Sequence, residues 1–536
     1  MSNGNNGLDS STKSKTPLLN PILFLGVIMA VSLLLRLYYF PYGVPLGLDA
    51  LEYFSYAAKM SQIGQFPSGY DFPNNGWPTF LSMFFYFVHS PSFLGYMELQ
   101  RYVSVALSLA TIIPIYLLCR RFFADRYALL GAALFAFEPR LITNSLLGVT
   151  ESLYLLLGVV TLFLFLGRGY KFVYASFVTC ALFALVRYEG LILVIPLSAV
   201  FFIRFRREKK VLSRYLIAML LFAIVLIPMA HIRIETTGHD GLTSHLFAGP
   251  SYISEVVIGD TPDYDDPIEI EEGESKLLHF VSKGPPALGK FVGLLLIPNL
   301  IILIGLGFYF LIKNRGLGAF DYKVMTIMVS GIAMLLPALY AYMRGIQEVR
   351  YLFIILPALY LISIYAVKRL DAKFDRFGII AIVVLTSTLF GSIGFLEVQK
   401  IDYEHRKEAY LISEHIVKTP KVINMDPIDG NYITTAQVVK KWPAISSVPE
   451  FEVIRIPSSG FNSLEHFIAD SKIHPTHIVV DGSDARPAYL SAVFYDDSKY
   501  PYLIKEYDSA DHNLKYHVKI YRIDYDLFED NNDDLR

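Results

Sequence analysis

Residues 33–57 read LLLRLYYFPYGVPLGLDALEYFSYA. The stretch leaves a long apolar run, turns through Pro41, Gly43 and Pro45, and then presents two acids, Asp49 and Glu52, one helical turn apart. The surrounding composition is that of a membrane protein. Of 536 residues 54% are hydrophobic and only 18% are charged, and the mean hydropathy is +0.43, too apolar for a soluble domain of this length. A net charge of −2 gives no reason to expect nucleic-acid binding. Cys119 and Cys180 both lie in apolar runs and offer neither a disulfide framework nor metal-ligand spacing. Residues 1–17, rich in Ser, Asn, Gly and Lys, are expected to form a disordered cytoplasmic tail. The apolar run after them is too long for a signal-peptide core and reads as a retained helix.

A helix needs about 20 mostly apolar residues to cross a bilayer. Eleven runs qualify, near 20–40, 98–119, 127–145, 149–167, 171–187, 189–204, 213–231, 288–312, 323–342, 351–367 and 378–396. The run 77–95 is shorter, is bracketed by Pro78 and Pro91, and reads as a helix lying at the interface. Basic residues crowd alternate connections: Arg120, Arg121 and Arg126; Arg168 and Lys171; the six between Arg204 and Arg214; Lys313, Arg315 and Lys323; Lys368, Arg369, Lys373 and Arg376. The positive-inside rule puts these and the N-terminus in the cytoplasm. The loops 41–97 and 232–287 and everything after about 397 then lie outside. The last 140 residues change character: KVINMD, FEVIRIP, THIVVDG and KYHVKIYRID have strand-like alternation, and FNSLEHFIADSKI has helical periodicity. The expected organisation is a tail (1–17), a mainly α transmembrane domain (18–397) and a small extracytoplasmic α/β domain (398–536).

Orientation sorts the polar residues. Arg36, Asp49, Glu52, Asp71, Glu98, Arg101, Glu138, Arg140, Glu151, Arg187, Glu189, Arg344, Glu348 and Arg350 gather on the outer side. Ionisable groups beside membrane helices are costly and are functional candidates by default. Each has an ordinary alternative: an arginine at a helix end snorkels, and an acid that opens a helix answers its free N–H groups and dipole. The assembly matters more than any member, because acids and arginines from separate loops could line one cavity. Such a cavity suits transfer of a sugar from a lipid phosphate. Arginine holds phosphate, a positioned carboxylate accepts the proton of an incoming hydroxyl, and two carboxylates could share a divalent ion such as Mg or Mn.

The opening stretch resembles that of GT-C glycosyltransferases, the multispan enzymes that use polyprenyl-phosphate sugars. The likeness is to their protein-mannosyltransferase and lipid A aminoarabinose-transferase branch, of archaeal or bacterial kind. Asp49, Tyr53 and Ala57 match that branch's pattern of Asp, Tyr and a small residue, although Ala50 stands where the family often has Glu. NNGWPTFLSMFFYF (74–87), EPRLITNSLLGVTESLYLLL (138–157), ALFALVRYEGLILVIP (181–196) and EVRYLFIILPAL (348–359) are similar to further family segments, in order. The resemblance covers about residues 20–370. It implies a GT-C-like fold and an inverting transfer of mannose or another hexose or pentose to a glycan, protein or lipid acceptor. It implies Asp49 as base, Glu151 with Glu52 or Glu138 beside it as acceptor- or metal-orienting acid, and Arg350, with Arg187 or Arg344, at the phosphate. Tyr53, Arg140 and Glu189 complete the expected substrate-binding set, and Asp49 and Glu151 would hold a metal if one is used.

Oligosaccharyltransferases share this architecture but normally carry a WWDYG-type motif; the two tryptophans here, Trp77 and Trp442, lie in no such motif. A single-sugar transfer is therefore preferred. The rival of another class is a transporter or lipid-carrier flippase, which would put charges at mid-span breaks, of which Pro298-Asn299 and Pro337 are the best present. The DYDD at 263–266 lies among nine acids between Glu255 and Glu274, with no Lys or Arg, and reads as a solvated loop. His231, His239 and His245 lack zinc spacing.

Overall fold

The computed structural model describes residues 20–47, 49–67, 75–88, 90, 93–242, 276–313, 321–399, 403–413, 415–416, 436–440, 451–454, 461, 463–470, 474–482 and 488–531. The tail 1–17, Asp71, His245, the acidic stretch 255–274, Arg315, the KVINMD segment and Trp442 fall outside them.

The chain is mostly helical, and the apolar runs become helices, some with shifted ends and two of them broken. In chain order they are α1 (Pro21–Tyr38), α2 (Asp49–Ile63), α3 (Gly76–Phe87), α4 (Phe93–Cys119), α5 (Asp125–Ala136), α6 (Pro139–Ser145), α7 (Glu151–Phe165), α8 (Tyr170–Val186), α9 (Glu189–Phe205) and α10 (Val211–Thr237). After residue 275 come α11 (Lys276–Leu296), α12 (Ile301–Lys313), α13 (Tyr322–Met343), a 3₁₀ segment (Val349–Ile355), α14 (Leu356–Phe374) and α15 (Phe377–Val398). Among the described residues six helical stretches are long and apolar enough to cross a membrane: Pro21–Tyr38, Leu94–Cys119, Val211–Thr237, Tyr322–Met343, Val349–Phe374 and Phe377–Val398. A seventh forms if Ser282–Leu296 and Ile301–Lys313, bent by 109° at their junction, count as one span. These are the helices of a multi-pass membrane protein.

The other expected spans are shorter, for local reasons. The run 127–145 divides into α5 and α6 because Pro139 opens the second helix and holds Glu138 extended at φ −68, ψ 116. Helices α7 and α8 are apolar but only 15 and 17 residues long. The run at 77–95 is α3, which ends at Phe87, and α4 starts only at Phe93. The largest core lies among these helices, with Trp77, Phe54, Phe177, Phe183 and Tyr360 fully buried.

The C-terminal part holds α16 (Glu404–Ser413), β1 (Ala436–Lys440), β2 (Phe451–Ile454), α17 (Leu464–Asp470), β3 (His477–Asp481), α18 (Ala488–Tyr495), β4 (Leu503–Asp508), β5 (Val518–Ile523) and α19 (Tyr525–Asn531). Its sheet runs β2-β1-β3-β5-β4. β1 is parallel to β2 and β3, while β5 is antiparallel to β3 and β4. Strand periodicity splits the core in two. Val438, Val479 and Ile520 face α16, whereas Val439, Ile478 and Val480 face α17 and α18. The sheet is thus covered on both sides. Glu408 of α16 accepts backbone N–H bonds from Lys515 and Tyr516, both 3.1 Å, which fixes that helix to the sheet. Arg406, also on α16, lies against Gly47; a Cβ there would stand 3.0 Å from its Nη1. The C-terminal part therefore abuts the loop that leads into Asp49.

Candidate active site

Among the helices that begin with an acid, three come together at the site: Asp49 opens α2, Glu151 opens α7 and Glu189 opens α9. A carboxylate there is favoured by the helix dipole. The N-cap residues of α7 and α9, Thr150 and Tyr188, make no side-chain cap bond, and Glu151 and Glu189 turn instead to guanidinium groups. Arg187 sits in the break between α8 and α9, where an extended backbone (φ −150, ψ 130) aims it inward. Its Nη1 donates to Glu151 Oε1 at 2.7 Å. Its Nε and Nη2 donate to Glu189 Oε1 at 2.9 and 2.7 Å. The rings of Tyr154 and Tyr351 flank it with centroids 5.2 and 5.3 Å away. Side-chain exposure is 7% for Arg187, 0% for Glu151 and 5% for Glu189.

Arg350, from the 3₁₀ segment, extends this chain of charges outward. Its Nη2 donates to Asp49 Oδ2 at 2.8 Å, its Nη1 lies 3.8 Å from Glu151 Oε1, and its Nε contacts Glu348. Here exposure rises, to 23% for Arg350 and 48% for Asp49. The result is one connected row, Glu189–Arg187–Glu151–Arg350–Asp49, with Glu348 at the side. Four carboxylates face two guanidinium groups, a formal charge of −2. Glu52, a turn beyond Asp49, is exposed. Partial desolvation by the protein around it, reinforced by the charge of Asp49, holds its carboxyl above the ordinary value.

Two side chains hold this row in place: Gln100, which a sequence reading misses, and Arg101, whose work on backbone carbonyls it does not foresee. Gln100, fully buried on α4, donates through Nε2 to Ala50 O at 2.9 Å and Gly148 O at 2.7 Å. Arg101 donates to the carbonyls of Val44 (2.5 Å), Pro45 (3.0 Å) and Leu146 (3.1 Å). Together they staple the chain on both sides of Asp49 to the segment before Glu151. Gly148 takes φ +77 within this staple, a conformation that favours glycine. Arg101 thus serves the backbone, as Arg36 does. Arg36 is wholly buried and donates to Ser32, Ala136 O and Ser108.

Not every expected residue joins the row. Glu138 and Arg140 form their own pair at 3.7 Å at the α5–α6 break. There Arg140 donates to Ile297 O and lies over the Phe395 ring. Tyr53 is buried on α2, and Arg344 caps the end of α13.

The residues present do not fit a divalent ion as they stand. The two expected ligands, Asp49 and Glu151, are bridged by Arg350, and Glu151 is also held by Arg187. No group of three His, Cys, Asp or Glu side chains among the described residues is arranged to hold a metal.

No protein-family model matches the sequence, and no curated protein matches it. Solved structures do. The oligosaccharyltransferase of Archaeoglobus fulgidus, in complex with Zn and sulfate, superposes with a TM-score of 0.56 at 16% identity, over 88% of this chain and 70% of that one. The same organism's AglB, with an inhibitory peptide and a dolichol-phosphate, gives 0.54 at 15%, over 90% and 72%. ArnT from Cupriavidus metallidurans, bound to undecaprenyl phosphate, gives 0.54 at 12%, over 93% and 98%. The chain shares the fold of these structures.

Proposed function

We propose that this protein transfers a sugar from a polyprenyl-phosphate donor to an acceptor hydroxyl at the outer face of the membrane. One observation carries the reading: Arg350 reaches both Asp49 and Glu151, residues contributed by three separate parts of the chain. In the reaction the acceptor oxygen forms a bond to the anomeric carbon as the bond from that carbon to the phosphate oxygen breaks. The acceptor proton passes to Asp49, and the electron pair leaves with the polyprenyl phosphate, whose added negative charge Arg350 meets. Direct attack inverts the anomeric carbon. Glu151, immobilised by Arg187, fixes the far side of Arg350. A positioned base typically contributes about 10²–10⁴-fold, and preorganised charge supplies more.

The basic loops face the cytoplasm in this reading, and the sheet-bearing part lies outside, where its α16 borders the entrance beside Gly47 and shapes acceptor access. The donor is a lipid-linked mannose or other hexose or pentose; the acceptor is a glycan, protein or lipid. The second reading is an oligosaccharyltransferase-like enzyme using a lipid-linked glycan, favoured by the likeness to the archaeal enzyme. The test is to supply purified protein with labelled polyprenyl-phosphate sugars and follow release of free lipid phosphate. Release that disappears in Asp49→Asn supports the transferase. Release only from oligosaccharide-charged lipids favours the second reading. No release from any donor, with solute or lipid translocation instead, sinks both.

A further inference from the structure

The row of charges has a rigid half and an exchangeable half. Arg187 is enclosed, with three short bonds to two buried carboxylates and an aromatic ring on either side. Arg350 meets Asp49 where both reach the open side of the site. Ion pairs at exposed positions are weak and change partners readily, whereas a buried pair cannot be opened cheaply. The group argued above to hold the donor phosphate is therefore already occupied, and its occupant is the base.

Resting on the proposed transferase reading, we infer that Asp49 and the donor's phosphate compete for Arg350, so that donor binding releases Asp49 and switches it on as a base. While paired, Asp49 has its Oδ2 taken up by the Arg350 guanidinium and cannot turn to an acceptor hydroxyl. When phosphate takes the Nη2 side of Arg350, Asp49 loses its counterion. It also stands in a site that already carries more carboxylate than guanidinium charge. Its Oδ2, no longer held by Arg350, is then free to accept the hydrogen bond of an acceptor hydroxyl. Glu151, which is buried and also held by Arg187, stays beside Arg350 and keeps it from following the phosphate. Without donor, Asp49 stays masked by Arg350.

The consequence has a definite sign. A mere base leaves lipid-phosphate affinity unchanged when neutralised, and a metal ligand lowers it. An internal competitor raises it, because the apparent affinity is reduced by the fraction of molecules whose Arg350 is occupied. The experiment is equilibrium binding of undecaprenyl phosphate to the purified full-length protein and to Asp49→Asn, Arg350→Gln and the double variant. Asp49→Ser serves as a second neutral form, with melting curves as the folding control. Asp49→Asn is expected to bind about three- to tenfold tighter, and Arg350→Gln at least about tenfold weaker. In the Arg350→Gln background the Asp49 change should shift binding less than about twofold, the coupling a double-mutant cycle isolates. Unchanged or weaker binding by Asp49→Asn and Asp49→Ser overturns the competition. So does an equal gain in the Arg350→Gln background, which would mean simple charge repulsion. Failure of the wild-type protein to bind the lipid phosphate at all instead removes the transferase reading on which this inference stands.

Discussion

Replacing Arg187 by glutamine should damage the architecture before it damages substrate binding. The guanidinium makes three hydrogen bonds of 2.7–2.9 Å to Glu151 and Glu189, and both acids are buried. Glutamine can reach one of them and neutralises neither. Removing one partner of a buried ion pair costs about 3–5 kcal/mol, because the remaining charge stays desolvated. Here two carboxylates are stranded together, so the upper end of that range applies. At about 2–4 °C per kcal/mol for larger domains, this is a fall of roughly 10–20 °C in apparent Tm. The assay is thermal unfolding of the detergent-solubilised protein, since a multi-span chain offers no two-state free energy to quote. Adding Glu189→Gln should recover part of the loss, as one stranded charge disappears. Lipid-phosphate affinity per folded molecule should stay within a few-fold of wild type. Arg187→Gln that melts with wild type yet loses lipid-phosphate affinity tenfold would refute the reasoning and return Arg187 to the phosphate.

Other outcomes rest on the same geometry. Asp49→Asn should keep wild-type melting, since Asp49 is about half exposed, while sugar transfer falls about 10²–10⁴-fold in a lipid-phosphate release assay. Gln100→Leu leaves the Ala50 and Gly148 carbonyls without their donor, at a cost of about 1–3 kcal/mol each. It should lower kcat more than it raises the KM for donor, and Gln100→Asn, which is shorter, should not rescue it. In the sheet, burial pushes the His477 imidazole below its ordinary value against the opposing pull of Glu506, with Arg522 alongside. The unfolded chain therefore takes up that proton first. This contribution to stability is present above the ordinary histidine value and is lost as pH falls through it toward the lower folded value. His477→Gln should flatten the acid side of the melting temperature plotted against pH between about 7 and 5.

Much of the helical frame is legible in the sequence because lipid leaves so few options: apolar runs must satisfy their backbone internally. Length alone hides where a run breaks. Pro139 announces the α5–α6 break by its chemistry. The sharp bend before Ile301 comes with Pro298 in the junction, visible in sequence only as a modest interruption. Strands β1 and β4 escape a sequence reading because AQVVK is short and LIKEYD carries as many charges as apolar residues. A central strand pairing and an edge pairing supply what their own composition does not. Gln100 escapes it too, because one amide in an apolar helix looks like packing. Its role depends on two carbonyls that come near it only in the folded chain.

The site shows the sharper limit. Arg187 and Arg350 stand in the same tripeptide, Val-Arg-Tyr, at 186–188 and 349–351. Local sequence gives no reason to assign them different work, and both are expected at the phosphate. The difference lies in the chain beyond each tripeptide. After the first, Glu189 opens a new helix and folds back to grip the arginine two residues earlier, closing it in. After the second, a 3₁₀ segment leads to Pro357 and α14, and the acid beside it, Glu348, comes before it and is itself exposed. The first arginine has its charge answered by two buried acids, one of them two residues away, and in the proposed reading it positions Glu151 rather than meeting the phosphate. The second has its charge answered in part by Asp49, which lies far away in sequence and faces open space. A charge whose partner is distant and half exposed is the one that can change hands, and exchange of partners is what binding a phosphate requires.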